Sequence, residues 1–418
     1  MAKTTSHAST ASGPPKYNVG WRRVVRNFSP SWFAVTMGTG IVSVLMNSIP
    51  FHTPVLYYLS IVFFVLNAAI FTLALMTSVL RYTLYPEIWK VMIQDPTNSL
   101  FLATVPMGFA TLIEMWIFVC VPHWGQWAVT VAWVLWMIDV VAAASVTLSL
   151  SFILISQRHI TSLDRITALQ LLPIAATIVA AGAGAKVADV LPNKQHASGT
   201  LLTSFILWGM GTPLAIVVLV IYYQRLAVHK LPPREMIVSC FLPLGPLGFG
   251  GFGYVQLARD PEKKPDLLTS CSILYIGKVA RKLLEGSEIL DPIAGPMAYV
   301  LGVFISLAMW SFGLIWLVFA LATILYSSPF PFNMGWWGFT FPLGVYAANS
   351  MELGIVLDLM FFKVFGTILS ASVLLLWALV GAHTAIGAWR GDLFYAPCLQ
   401  KLIFREEDQG EDEAEHRA

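Results

Sequence analysis

The sequence predicts an all-α polytopic membrane protein with about ten transmembrane helices. Of its 418 residues, 57% are hydrophobic and only 11% are charged, and the mean hydropathy is +0.72, values far from those of a soluble domain. Apolar runs long enough to cross the hydrocarbon core as helices recur along the chain, whereas the alternating pattern of a membrane β-barrel is absent. These runs predict spans near residues 30–48, 54–80, 98–121, 125–156, 164–185, 200–223, 235–257, 294–326, 335–357 and 359–389.

Polar segments flank this apolar region at both ends. Residues 1–27 begin with a polar stretch that lacks the apolar core of a signal peptide, and they are predicted to form a disordered cytoplasmic tail. Residues 28–390 form the predicted transmembrane domain. Residues 391–418, which include the acidic run 406–415, form a predicted cytoplasmic tail.

Basic residues indicate the orientation of the spans. They precede the first span, recur in the connections after the second, fourth and sixth spans, and follow the last span, which predicts that both termini are cytoplasmic. The connection 258–293 also carries basic residues, although it falls on the predicted outer side. Long loops follow the rule less strictly, so we keep this orientation.

Alternate spans share a proline and glycine signature. The third span contains the sequence apolar-Pro-apolar-Gly at 105–108, the seventh contains it at 242–245 and again, without the first residue, at 246–248, and the ninth contains it at 341–344. The fifth span has a partial copy at 172–175, and the first span has two glycines at a comparable place. Recurrence in odd-numbered spans, roughly 70 residues apart except for a longer last interval, predicts five helical hairpins.

We interpret the odd-numbered spans as the lining of a pseudo-fivefold central pore and the even-numbered spans as an outer layer facing lipid. Prolines free backbone polar groups, glycines let helices approach closely, and such groups can hold an anion weakly enough for conduction. The alternative is that these residues serve packing alone, since both types are common in membrane helices. The predicted pore-lining residues are Gly38, Gly40, Pro106, Gly108, Pro173, Pro243, Gly245, Pro246, Gly248, Pro342 and Gly344.

The segment 335–354 has a proline near its middle, and the pattern predicts a broken helix there. Phe341 directly precedes Pro342, so its ring is expected to lie at the kink. We therefore predict that Phe341 obstructs an anion pathway and acts as its gate.

Several of these motifs together resemble the tellurite-resistance/dicarboxylate transporter family, which includes plant slow-type anion channels, fungal malate permeases and fungal sulfite efflux pumps. The match is most similar to the sulfite efflux branch. The resemblance implies ten helices around a pseudo-fivefold pore, a phenylalanine gate that carries over to Phe341, and a homotrimer. The segments that carry it are 28–30, 37–40, 105–108, 242–248 and 336–344, together with Trp136 three residues before Asp139.

An ionisable side chain inside a membrane span has a high free-energy cost, so each such residue is a candidate for a functional role. Asp139 and Lys363 lie on even-numbered spans and are expected to form an ion pair, either between layers or with a neighbouring subunit. Glu352 lies ten residues beyond Pro342, about 15 Å along a helix and near a pore mouth. Proton coupling through Glu352 is an open alternative. Glu114 and Asp358 complete the predicted set.

The absence of an arginine at the centre of any predicted span favours a small anion over a dicarboxylate, which a guanidinium would bind in a bidentate manner. Together with the resemblance to the sulfite efflux branch, this implies plasma-membrane export of sulfite or bisulfite through a gated pathway driven by the membrane potential. The alternatives are a malate or dicarboxylate permease and a less selective anion channel. No phosphate-binding loop or metal-ligand spacing is present, so we predict neither enzymatic activity nor a cofactor, a metal or a nucleic-acid partner.

Overall fold

The computed structural model describes residues 20–51, 53–156, 163–249, 276, 279–281, 294–394 and 399. These residues form helices and their connections and contain no β-strand, as the all-α prediction requires. We label the principal described helices α1 Phe33–Ser48, α2 Pro54–Leu84, α3 Thr104–Val119, α4 Gln126–Ser156, α5 Leu171–Val190, α6 Lys194–His229, α7 Leu244–Phe249, α8 Ala294–Ser327, α9 Thr340–Val356 and α10 Met360–Arg390. Shorter helices span Trp21–Asn27, Pro86–Gln94 and Val121–Trp124.

Most helix boundaries lie within a few residues of the predicted spans. The fifth span is an exception. It was expected to end at residue 185, whereas α5 continues to Val190. The seventh predicted span is described only as far as Phe249, and its remainder lies outside the described residues. Of the predicted tails, Trp21–Asn27 is helical, while residues 1–19 and 400–418 lie outside the described residues.

Seven of the described helical segments are long and apolar enough to cross a membrane, or eight if Trp21–Asn27 and Pro30–Ser48, which meet at 90°, count as one span. By themselves, α1 with 16 residues and α9 with 17 residues are shorter than the usual span of about 20 residues. A 3-10 helix, Met334–Phe339, leads directly into α9 and lengthens it. The chain is thus a multi-span helical membrane protein.

The odd-numbered helices are buried and the even-numbered helices are exposed. In the most apolar stretch of each helix, 94% of the residues are buried for α5 but only 22% for α4 and for α10. Each odd helix packs against the even helix that follows it. In addition, α1 contacts α3, α3 contacts α5, α5 contacts α7, α7 contacts α9, and α9 contacts α1. We call α1, α3, α5, α7 and α9 the inner helices and the others the outer helices.

Tryptophan side chains of three outer helices donate hydrogen bonds to inner helices. Trp136 of α4 donates a hydrogen bond to the Ala180 carbonyl of α5 at 2.9 Å, and Trp377 of α10 donates to Thr39 of α1 at 3.0 Å. Trp310 of α8 likewise donates to a serine hydroxyl of α9 at 2.8 Å. Each bond joins an outer helix to the next inner helix, so the pattern repeats with the hairpins. Such a bond satisfies a buried indole N–H while leaving the ring to pack.

A 3-10 helix precedes every inner helix, and the prolines mark where it becomes an α-helix. Pro106, Pro173, Pro246 and Pro342 are each the third residue of their α-helix. In that first turn the backbone N–H has no intrahelical acceptor, so proline costs little. The expectation of a kink near the middle of the ninth span is therefore wrong. The 3-10 helices are Pro30–Trp32, Ser99–Ala103, Ala168–Gln170, Arg234–Phe241 and Met334–Phe339.

Candidate functional site

A cavity of about 480 Å³, which we call the vestibule, opens at the amino-terminal ends of the inner helices. Every inner helix or the 3-10 helix before it contributes to its wall, because all five begin around this cavity. Glu235 and Asp392 are the ionisable residues among the described lining residues, so side-chain cations do not line this part of the vestibule. The polar lining residues are Ser29, Ser31, Thr97, Asn98, Thr104, Glu235, Ser239, Asn333 and Asp392.

The backbone supplies positive potential at the vestibule instead. The first N–H groups of a helix lack intrahelical acceptors, and the aligned peptide dipoles place a partial positive charge there. Because inner helices converge on the vestibule with their amino-terminal ends, their dipoles favour an anion in it. Hydroxyl and amide side chains around the wall can donate hydrogen bonds to that anion and so supplement its hydration shell.

A second and much smaller cavity, about 10 Å³, lies among the inner helices, and we call it the constriction. Its volume is about the least that holds one water molecule. Met37, Leu172 and Leu242 line both cavities, so the constriction adjoins the vestibule. Its lining has no polar side chain and comprises Met37, Met107, Leu171, Leu172, Ala175, Ile178, Val179, Leu242, Gly245, Pro246, Phe249, Phe341 and Pro342.

Phe341 lies at the constriction, where its side chain is 3% exposed. Its ring stacks on the ring of Phe249 from α7, with centroids 5.9 Å apart and planes inclined by 23°. A hydrated ion that entered so small an apolar cavity would lose its water shell, which is unfavourable.

The predicted pore residues divide into two groups. Gly245, Pro246 and Pro342 line the constriction, while Pro106, Pro173 and Pro243 adjoin residues that line it. Most of the predicted glycines lie instead where helices touch. A Cβ would come within 3 Å of Thr340 and Trp337 at Gly38, of Thr111 and Asn67 at Gly40, of Thr36 at Gly108, of Tyr346 and Val345 at Gly248, and of Ile41 at Gly344.

A buried charged cluster lies among α3, α4 and α5. The Lys186 ammonium of α5 is 2.8 Å from a carboxylate oxygen of Glu114 on α3, and the two side chains are 2% and 1% exposed. The same ammonium lies 5.3 Å from the centre of the Phe118 ring. Asp139 of α4 is fully buried, and neither of its carboxylate oxygens has a hydrogen-bond partner among the described residues. The Glu114 carboxylate interacts electrostatically with Asp139, which places Asp139 in the same cluster.

Comparison with known proteins identifies the family. A family model described as voltage-dependent anion channel, SLAC1, matches residues 27–385. The chain belongs to this family. The match confirms the resemblance drawn from the proline and glycine motifs.

The chain is similar to several fungal transport proteins. A sulfite efflux pump SSU1 of Arthroderma benhamiae is 45% identical over 370 residues, which cover 88% of this chain and 93% of the relative. A sulfite efflux pump SSU1 of Candida albicans is 27% identical, with 84% of this chain and 72% of the relative covered. The malic acid transport protein of Schizosaccharomyces pombe is 25% identical, with 85% and 77% covered.

The predicted ion pair between Asp139 and Lys363 is wrong within the chain. Lys363 Nζ lies 2.7 Å from a carboxylate oxygen of Asp358, in the connection between α9 and α10, and Asp358 is 91% exposed. This contact holds the pKa of the Asp358 carboxyl below its usual value. The third predicted charge, Glu352, is 3% exposed near the end of α9, and its charge acts on Tyr299 of α8.

Sequence reasoning missed Lys186, because the fifth span was expected to end one residue earlier. The signal was present: Ala185, Val187 and Ala188 continue the apolar run around a single lysine. The buried arginines have a different role at the ends of outer helices. Arg81 donates to the Phe28 carbonyl, and Arg225 donates to the Asp164 carbonyl at 3.0 and 3.3 Å. Neither lines the constriction.

Proposed function

We propose that this chain exports sulfite or bisulfite across the plasma membrane through a pathway that Phe341 keeps closed at rest. The observation that carries the proposal is the arrangement of the two cavities. A vestibule of about 480 Å³ with hydroxyl, amide and backbone groups leads to an apolar constriction of about 10 Å³. An anion is attracted into the first cavity and meets a barrier at the second.

The name of the Arthroderma relative supports sulfite as the anion. That relative is 45% identical, and the match covers 93% of its length, so the whole transport region is compared. In addition, the described vestibule lining offers no guanidinium for bidentate binding of a dicarboxylate, and Glu235 and Asp392 repel a second negative charge. A singly charged bisulfite meets the smaller penalty.

The proposed architecture is the pseudo-fivefold one, with ten spans, both termini cytoplasmic and three copies in a homotrimer. The closed series of inner-helix contacts and the recurring 3-10 helices support the five hairpins. The distribution of Lys and Arg supports the orientation, which puts the vestibule on the cytoplasmic side. The trimer rests on the family resemblance, and the mass of the detergent-solubilised protein tests it.

The membrane potential suffices to drive the export. An anion leaving a cell that is negative inside gains about 2.3 kcal/mol per charge for each 100 mV. Export down this gradient needs no ATP hydrolysis, and opening of the Phe341 gate then sets the rate.

A malate or dicarboxylate permease is the second candidate, and the malic acid transport relative of Schizosaccharomyces pombe favours it. This relative is 25% identical to the chain, whereas the sulfite efflux relative is 45% identical, so the permease is the weaker candidate. A less selective anion channel would have the same cavities and would differ only in its preference among anions.

Flux in reconstituted vesicles tests the proposal. Purified protein in vesicles with a set potential is given sulfite, malate, nitrate or chloride, and protein-free vesicles correct for leak of uncharged species. Potential-driven flux that prefers sulfite supports the sulfite exporter. A preference for malate would move the chain to the permease reading, similar rates for every anion would indicate a channel, and no flux would contradict an anion pathway.

A further inference from the structure

Lys186 and Glu114 lie on the same faces of their helices as the residues that line the constriction. Lys186 follows Val179 of α5 by seven residues, and Glu114 follows Met107 of α3 by seven. Seven residues are two helical turns, so each side chain lies about 10 Å further along the same face. Their 2.8 Å contact confirms that the two helices bring them to one level.

The Lys186 ammonium has N–H donors that no described residue accepts. An ammonium carries three N–H groups, and Glu114 accepts from at most one or two of them. No other oxygen of the described residues accepts a hydrogen bond from Lys186. A buried cation with open donors can bind an oxyanion or a halide.

We propose that Lys186 binds the transported anion on the far side of the constriction from the vestibule, with Glu114 as a fixed counter-charge that keeps the binding weak. This inference rests on the proposed function, because it requires an anion to pass the constriction. Conduction needs a site that attracts the ion and also releases it, and a lysine already paired with a carboxylate meets both needs.

The alternative is that the pair only fastens α3 to α5, and Lys186→Arg separates the two readings. Arginine keeps the positive charge and the bridge to Glu114, so the variant is expected to fold. Its planar guanidinium binds an oxyanion through two parallel hydrogen bonds, which chloride cannot accept. We expect the preference for sulfite over chloride, measured as the ratio of KM values in vesicle flux, to rise severalfold. An unchanged ratio would overturn the proposal.

The double variant Lys186→Gln/Glu114→Gln removes the site without leaving a buried charge unpaired. We expect the KM for sulfite to rise about tenfold or more, since a charge-assisted hydrogen bond is lost. The control is Lys363→Gln/Asp358→Asn, an ion pair of similar length, 2.7 Å, outside the pathway. Its KM should equal that of the unaltered protein, and an equal KM in the double variant at Lys186 would overturn the inference.

Anion-dependent thermal stability separates failure of this site from failure of the proposed function. The melting temperature is measured in detergent with sodium sulfite, nitrate or chloride against gluconate at equal ionic strength. If the unaltered protein carries no anion, the proposed function fails. A rise in melting temperature that vanishes in the double variant still supports anion binding at Lys186, and a rise that persists there contradicts it.

Discussion

The amino-terminal and carboxyl-terminal halves of the inner helices meet charge in opposite ways. Around the amino-terminal ends, the vestibule is lined by hydroxyls, amides and backbone, and its described ionisable residues are both acidic. Two helical turns beyond the constriction-lining residues Met107 and Val179, α3 and α5 hold a buried ion pair, Glu114 with Lys186. Between the two lies a cavity without any polar side chain.

Helix dipoles explain the difference. The amino-terminal ends carry partial positive charge and attract an anion without any side-chain cation, whereas the carboxyl-terminal ends carry partial negative charge and repel it. Lys186 lies near the carboxyl-terminal end of α5, where a cation is favoured and where an anion needs one. In α5, the buried lysine thus lies where the backbone no longer supplies positive potential.

Breaking the ion pair should have the largest effect. Lys186→Gln leaves Glu114 buried without its cation, which costs about 3–5 kcal/mol of the free energy of unfolding. The double variant with Glu114→Gln should recover most of that loss, because no unpaired charge remains. Reversible unfolding in mixed micelles measures the values. Equal losses in the single and double variants would show that the pair adds nothing beyond packing.

Asp139→Asn is the matched control for that experiment, since Asp139 lies in the same cluster without a hydrogen-bond partner among the described residues. Its replacement removes a buried carboxylate and leaves no cation unpaired. We expect stability to stay equal or to increase. A loss as large as that of Lys186→Gln would mean that Asp139 is a counter-ion of Lys186.

Phe341→Ala tests the barrier between the two halves. Removal of the ring opens the apolar constriction, and each 1.4 kcal/mol of barrier removed speeds passage about tenfold. We expect anion flux to rise about tenfold or more. Phe339→Ala is the control, because Phe339 is also buried, at 5% exposure, and packs on Phe241 away from the constriction. An unchanged flux in Phe341→Ala would remove Phe341 as the gate.

Two glycines of α7 allow residues that line the constriction to be compared with residues that pack between helices. A Cβ at Gly248 would lie 2.9 Å from the backbone nitrogen of Tyr346, whereas a Cβ at Gly245 meets nothing within 4 Å. Gly248→Ala should therefore lose about 1–3 kcal/mol of stability through overpacking. Gly245→Ala should unfold like the unaltered protein but carry less anion, because its methyl group projects into the constriction. Lower stability in Gly245→Ala together with lower flux in Gly248→Ala would contradict this assignment, because Gly245 would then serve packing and Gly248 would line the cavity.

The sequence was sufficient for the all-helical, multi-span architecture, because apolar runs long enough to cross a membrane are visible in it directly. The hairpins and the inner pore layer were expected from the recurring proline and glycine motifs, and they stay a prediction. The sequence predicted Phe341 as a gate from its place before Pro342. Phe341 lies at the constriction beside Phe249, and its role as a gate stays a prediction. What it missed depends on contacts between distant segments. Lys186 lay one residue beyond an apolar run, and no pattern within α5 reveals that Glu114 faces it. The glycines were expected at the pore and mostly lie at helix contacts, since both roles require the same absence of a side chain.

The smallest expected effect is at Lys363, the exposed counterpart of the buried pair. The Lys363 hydrogen bond and charge lower the pKa of Asp358 from 3.8, so the contact stabilises the fold above the unfolded pKa and loses this effect as pH falls through the folded pKa. Lys363→Gln should return the Asp358 pKa upward to its ordinary range, as measured by NMR titration of the carboxyl carbon. At neutral pH the melting temperature should not change, because water and salt screen an exposed pair. A pKa that does not move would show that the contact is not maintained in solution. A clear loss of stability at neutral pH would contradict the contrast between this pair and the buried one, since both have nearly the same length and differ in exposure to water.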